Sequence, residues 1–119
     1  MSRTRASAKA AGARFERSIA DCLAEHVDDR IDRRVKTGAA DKGDIAGIRV
    51  HRQRVVAECK DVARLALGVW VAEAETERTN DNALASVVIH KRRGTTNPLE
   101  QYVTCTVRDL IALIEGTRP

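Results

Sequence analysis

Two runs rich in β-forming residues, Asp44–Val50 and Arg54–Cys59, are separated only by the polar triplet His51-Arg52-Gln53. Strands this close in sequence join through a tight turn, so the centre of the chain reads as a hairpin. Gly47 interrupts the first run and marks a bulge. Side chains alternate across a strand, so Glu58 and Lys60 share one face while Ala57 and Cys59 take the other. Asp44 opens the first strand, a hairpin's reach away. Two carboxylates and an ammonium then meet at one sheet edge, an arrangement suited to a hard cation with a positive group beside it. The competing reading of Glu58 and Lys60 is a cross-strand charge pair on an exposed face.

The flanking segments supply layers for that hairpin. Residues 11–26 have apolar side chains at Phe15, Ile19, Cys22 and Leu23, one stripe of a helix. Glu16 borders the stripe and would face the acidic site if the helix packs beside Glu58. A short strand is expected at Ile31–Val35. A second helix, 63–79, is expected from Leu67, Trp70, Val71 and Ala74. Glu73, Glu75 and Glu77 are read as lying outside that stripe, solvent-facing or paired, with Glu73 and Glu77 on one face as an accessory metal contact. Leu84–His90 reads as a buried strand and Gln101–Cys105 as another. Thr106 is a good N-cap for a last helix, 107–115, with Leu110, Ile111, Leu113 and Ile114 apolar and Gly116 as its stop. The order α-β-β-β-α-β-β-α implies an α/β fold, a mixed sheet flanked by helices. At 119 residues it is expected as one domain, 11–119, behind a mobile basic arm, 1–10.

Charge points to the partner. Lys and Arg number 21 against 17 acids, a net +4, which suits a polyanion such as DNA. Aromatic residues are only 3% of the chain, which argues against base stacking as the binding mode. Candidate phosphate contacts are Arg14 on the first helix, Arg33, Arg34, Lys36 and Lys42 around the turn after Thr37, and the cluster Lys91-Arg92-Arg93 after a strand. Each is weighed against simple solubilising charge. Cys22, Cys59 and Cys105 are odd in number and widely spaced, which fits buried thiols in a reducing cytoplasm rather than disulfides or zinc. Neither a signal peptide nor a membrane-spanning run is read from the sequence.

Hydrolysis of a phosphodiester builds negative charge at phosphorus, which a divalent ion on oxygen ligands neutralises while it activates water. Asp44 and Glu58 would hold the ion, the backbone carbonyl of Cys59 offers a third oxygen, and Lys60 would steady the developing charge. At these residues the chain resembles the PD-(D/E)xK nuclease superfamily. Gly43-Asp44 stands where that family has Pro-Asp, and Glu58-Cys59-Lys60 matches its second half. It looks most like the small Holliday-junction resolvases of the archaeal type and their phage relatives, which begin with a basic segment and a helix bearing a glutamate, here Glu16. The resemblance implies a restriction-endonuclease-like sheet, Mg2+ (with Mn2+ as substitute), a homodimer with two active sites, and cutting of branched DNA in a bacterial or phage-infected cell. It further implies a metal role for Glu16, direct or through water, and a catalytic hydroxyl at Thr37. The alternatives are a nicking or repair endonuclease, a restriction-type duplex endonuclease, and a non-catalytic DNA-binding module on the same fold.

Overall fold

A computed structural model describes residues 3–35 and 41–119; Lys36 and Thr37 lie outside the described residues. The first helix, α1, spans Arg5–His26 and buries Ala11, Phe15, Ile19 and Ala20. It starts six residues before the expected 11, which corrects the reading of residues 5–10 as part of a mobile arm. The cause is local. The Thr4 hydroxyl accepts the Ser7 N–H at 3.0 Å as an N-cap, and Ala6, Ala8 and Ala10 are the strongest helix formers available.

The expected strand at Ile31–Val35 shrinks to β1, Asp32–Arg33, while Ile31 goes into the core. The expected strand Asp44–Val50 is split into β2, Ile45–Ala46, and β3, Arg49–Val50. Gly47 makes the break at φ +92°, and a Cβ there would sit 2.9 Å from the Arg30 carbonyl oxygen. The hairpin turn is made by His51 and Arg52, both at positive φ, with Val50 opposite Gln53. The long central strand β4, Gln53–Lys60, follows.

Helix α2 spans Leu67–Asp81 and leads through Asn82, in the left-handed conformation, to β5, Ala85–His90. Residues 63–66, expected in the helix, precede it. A 3-10 turn at Pro98–Glu100 leads to β6, Tyr102–Thr104, and then to α3, Val107–Glu115. The sheet runs β1-β2-β4-β5-β6, with β3 also paired to β4. The β4–β5 pair is parallel, joined by the α2 crossover, and the other pairs are antiparallel. The fold is therefore mixed α/β, an open six-stranded sheet with three helices packed on it.

The two faces of β4 are filled differently. Ala57 and Cys59 join Ile45 and Ile89 beneath Phe15, Ile19 and Ala20 of α1. On the opposite face Trp70 and Ala74 of α2 close over Val88 of β5. Helix α3 packs Ala112 against Leu84 and Ala85. Among the described residues no helix is long and apolar enough to cross a membrane.

Candidate active site

The site forms where β2 leaves β4. The Asp44 N–H donates to the Ala57 carbonyl at 3.0 Å, holding Asp44 just ahead of β2. Its side chain then takes over from the strand, with Oδ2 accepting the Cys59 N–H at 2.8 Å. The chain before it must pass close to β4. Gly43 has φ +94°, and a Cβ on it would lie 2.8 Å from Val56 Cγ1 and 3.2 Å from the Ala57 oxygen. Proline, fixed near φ −65°, does not fit this backbone, so glycine at the position where the resembled family has Pro follows from the local geometry.

Within a strand the N–H and C=O of one residue point to the same edge. The Cys59 carbonyl is therefore directed to the Asp44 side, and the Lys60 carbonyl faces β5, where it accepts the Lys91 N–H. The Cys59 thiol belongs to the core under α1 and is inert. Burial first, and the charge of Asp44 next, raise its pKa far above the usual thiol range.

Glu58 points to the α2 face, as the period of β4 requires. It lies within hydrogen-bonding reach of both Asp44 and Glu77. Carboxylate oxygens of Asp41, Glu58 and Glu77 come within 4.8 Å of one another. Asp44, Glu58 and Glu77 are all buried, at 2%, 7% and 3% exposure. Glu58 Oε2 and Glu77 Oε2 are enclosed and, among the described residues, without a hydrogen-bond partner. Burial, reinforced by the neighbouring carboxyls, pushes the Glu58 pKa well above the ordinary carboxylate range, and burial raises Glu77 as well. Enclosed, unpartnered carboxylate oxygens of this kind are costly unless protonated or bound to a cation, and an all-oxygen donor set suits Mg2+, Mn2+ or Ca2+.

Lys60 lies at the rim, its Nζ donating to Glu73 Oε2 at 2.8 Å. Burial works against its charge, but the Glu73 bond and the surrounding carboxylates outweigh it and raise the pKa, so it stays an ammonium. Beside it opens a groove of about 540 Å³ lined by Arg3, Gly12, Lys60 and Arg93. Arg3 donates to the Asp61 carbonyl at 2.8 Å, which ties the start of the chain to the end of β4.

Asp44, Glu58, Lys60 and the Cys59 carbonyl thus come together. Glu16 does not join the carboxylate cluster. It projects on the α1 face of the sheet, where Oε1 accepts from Arg33 Nε and Nη2 at 3.2 and 3.1 Å. The packing on which a site role for Glu16 was conditional is not the one observed: α1 covers Ala57 and Cys59.

The basic residues divide likewise. Arg33 is held by Glu16, and Arg34, half-buried, lies 3.6 Å from Asp81. Lys91 folds back onto the Arg92 and Thr95 carbonyls. Arg92 lies over the Tyr102 ring and 3.5 Å from Glu100. Arg14, Lys42 and Arg93 are exposed, and Arg14 lines a small cleft with Lys91 between α1 and the loop after β5.

Only Asp41 escapes the sequence reading, which gives Glu77 no more than an accessory metal contact and Arg3 no more than a place in the basic arm. For Glu77 the signal was present, since Trp70, Ala74 and Glu77 fall at i, i+4 and i+7 on the buried side of α2. Asp41 has no such periodic signal. Comparison with protein-family models, with curated proteins and with solved structures gave no match.

Proposed function

We propose that the protein is a metal-dependent DNA endonuclease whose substrate is branched DNA, most specifically the four-way junction. The observation that carries this reading is the pair of enclosed carboxylate oxygens of Glu58 and Glu77, unpartnered among the described residues, beside Asp44, with Lys60 at the rim and next to it a groove whose lining includes Arg3, Arg93 and Asp61. The helix, hairpin, helix and strand that present Asp44 and Glu58-Cys59-Lys60 occur in the order of the PD-(D/E)xK superfamily.

In this reading Asp44, Glu58 and the Cys59 carbonyl hold the cation, Mg2+ or Mn2+, with Glu77 and Asp41 completing an oxygen-only set. Bound there, the cation would supply charge neutralisation and a water of lowered pKa. The chain's own groups do the rest. Arg3 and Arg93 bind the phosphates that flank the scissile bond and fix its position along the groove. Lys60 moves its Nζ between Glu73 and a phosphate oxygen, placing positive charge where the pentavalent species is most negative. Glu73 keeps the ammonium oriented before substrate arrives. Cutting two strands symmetrically calls for two such sites, which a homodimer provides. The expected setting is the cytoplasm of a bacterial or phage-infected cell.

The test is nicking of a synthetic four-way junction with Mg2+ or Mn2+, set beside linear duplex of the same sequence. Asp44→Asn, Glu58→Gln and Lys60→Ala are each expected to cut at least about a hundredfold more slowly while still binding the junction. Tight binding without cleavage by the folded protein would overturn the enzyme reading in favour of a DNA-binding module. Equal cleavage of junction and duplex would leave an endonuclease of the nicking, repair or restriction type.

A further inference from the structure

The carboxylate cluster stands on the second half of β4, and a separate basic cleft opens beside the first half. Gly47 breaks β2 from β3, and at that break lies a cleft of about 220 Å³ lined by Arg34, Gly47, Arg49, Arg54 and Asp81. Arg49 and Arg54 are cross-strand partners, so the two guanidinium side chains stand together on one face of the hairpin. Like charges directly opposite one another destabilise a strand pair. The sequence keeps them there all the same.

Asp81, buried at the end of α2, lies 3.6 Å from Arg34 Nη2 and 3.5 Å from Arg54 Nε. Arg54 is placed further by Nε and Nη2, which donate to the Asp81 carbonyl at 3.0 and 2.8 Å and so cap the end of the helix. Arg49 is exposed, and its side chain has no partner among the described residues. Arg34 Nε is enclosed and, among the described residues, without an acceptor. Three guanidiniums against one carboxylate leave two positive charges in the cleft. Such walls suit an anion with several acceptor oxygens, which guanidinium forks bind in pairs.

Arg54, Glu58 and Lys60 share one face of β4. Arg54 belongs to this cleft, Glu58 to the carboxylate cluster and Lys60 to the groove of Arg3 and Arg93. The cluster therefore lies between two basic clefts. We infer that the cleft at Arg49 and Arg54 is a phosphate subsite, which holds a backbone phosphodiester on the side of the scissile bond opposite that groove. The inference rests on the DNA reading above and deepens it, because the strand is then gripped on both sides of the bond to be cut. Four residues of β4 separate Arg54 from Glu58, about 13 Å. Phosphates advance about 3.4 Å along one strand of a duplex, so the bound one lies about four steps from the cluster. Asp81, matched by Arg34, holds Arg54 ready in the free protein. Arg49, without an internal task, is the residue whose charge the DNA alone uses. No aromatic side chain lines the cleft, so it grips backbone and is indifferent to base sequence.

The experiment follows binding of a labelled four-way junction and of linear duplex by fluorescence anisotropy across a salt series, in EDTA so that no strand is cut. Arg49→Gln is expected to lower the slope of log K against log salt by about one on both DNAs. Arg54→Gln should give the same fall, with circular dichroism confirming the fold of each variant. Arg52→Gln removes the same charge from the turn of the same hairpin, outside the cleft, and should leave the slope unchanged. An unchanged slope for Arg49→Gln overturns the inference. So does an equal fall for Arg52→Gln, since the hairpin would then act as diffuse charge, and so does a wild type that binds no DNA. Cleavage in Mg2+ is scored separately. A protein that cuts, but whose binding ignores Arg49, keeps the nuclease reading and loses the subsite. One that shows the Arg49 slope and never cuts keeps the subsite and loses the nuclease reading.

Discussion

Glu77 shows what one side chain contributes when its surroundings are set by a helix rather than by its own polarity. It lies on the buried line Trp70, Ala74, Glu77 and Asp81 of α2, and the helix carries its carboxyl under the sheet beside Glu58. A carboxyl whose folded pKa is raised holds its proton in the folded state above the pH at which the unfolded chain releases it. Its favourable contribution is complete below about pH 4.5 and is lost as pH rises from there. The metal-free protein should therefore be strained at neutral and alkaline pH. Glu77→Gln is expected to raise its melting temperature by about 5 °C at pH 8, with little change near pH 4. The same change should shrink the stabilisation produced by added Mn2+ in a thermal-shift measurement. Opposite movement of the two readouts is the mark of a ligand; an unchanged Mn2+ response would assign Glu77 a packing role only. Asp44, Glu58 and Lys60 were legible in the sequence because a strand's period of two is local. Glu77 was legible only as an accessory contact, because its charge argued against burial, and Asp41 reaches the site from a stretch before β2 that no sequence period describes.

Among the elements, α3 has the most explicit local instructions. Thr106 and Asp109 form a reciprocal capping box, and Gly116 ends the helix at φ +82°. Asp109 also anchors the helix to the sheet, accepting from Ser86 N and from Arg118 Nη1 at 2.6 Å. Burial alone would raise its pKa; the bonds from Arg118, Thr106 and Ser86 outweigh burial and lower it below 3.8. A lowered carboxylate stabilises the fold above the unfolded value and ceases to do so as pH falls through the folded one. Asp109→Asn is thus expected to cost about 1–3 kcal/mol at pH 7 in urea unfolding, with the gap to wild type closing as pH drops below about 3.8. A pH-independent gap would mean that packing, not charge, anchors α3. The limits of this helix could be read from Thr106 and Gly116. Its orientation could not, since a stripe of Val, Leu and Ile reads as an inward face, whereas Val107, Leu110, Ile111 and Ile114 stay exposed.

For the molecule as a whole, the sheet gathers groups from distant parts of the chain around one groove. Arg3 comes from ahead of α1, Lys60 from the end of β4 and Arg93 from the loop after β5. In the proposed function these groups contact phosphate, and contacts of that kind add nearly independently and release counterions. Arg93→Ala should weaken binding of junction and duplex alike and lower the slope of log K against log salt by about one. Arg30→Ala, at an exposed arginine paired with Asp28, serves as the control and should leave that slope unchanged. Equal slopes for wild type and Arg93→Ala would remove Arg93 from the DNA path. By itself the sequence determined what depends on near neighbours: the hairpin about His51-Arg52, the shared face of Glu58 and Lys60, the caps of α3, and the mixed α/β class. Tertiary structure decided which face α1 covers and so excluded Glu16 from the cluster. It also spent Arg33 and Arg34 on internal ion pairs. These choices depend on layers meeting across the sheet, and the side chains that meet there lie tens of residues apart, where no local period connects them.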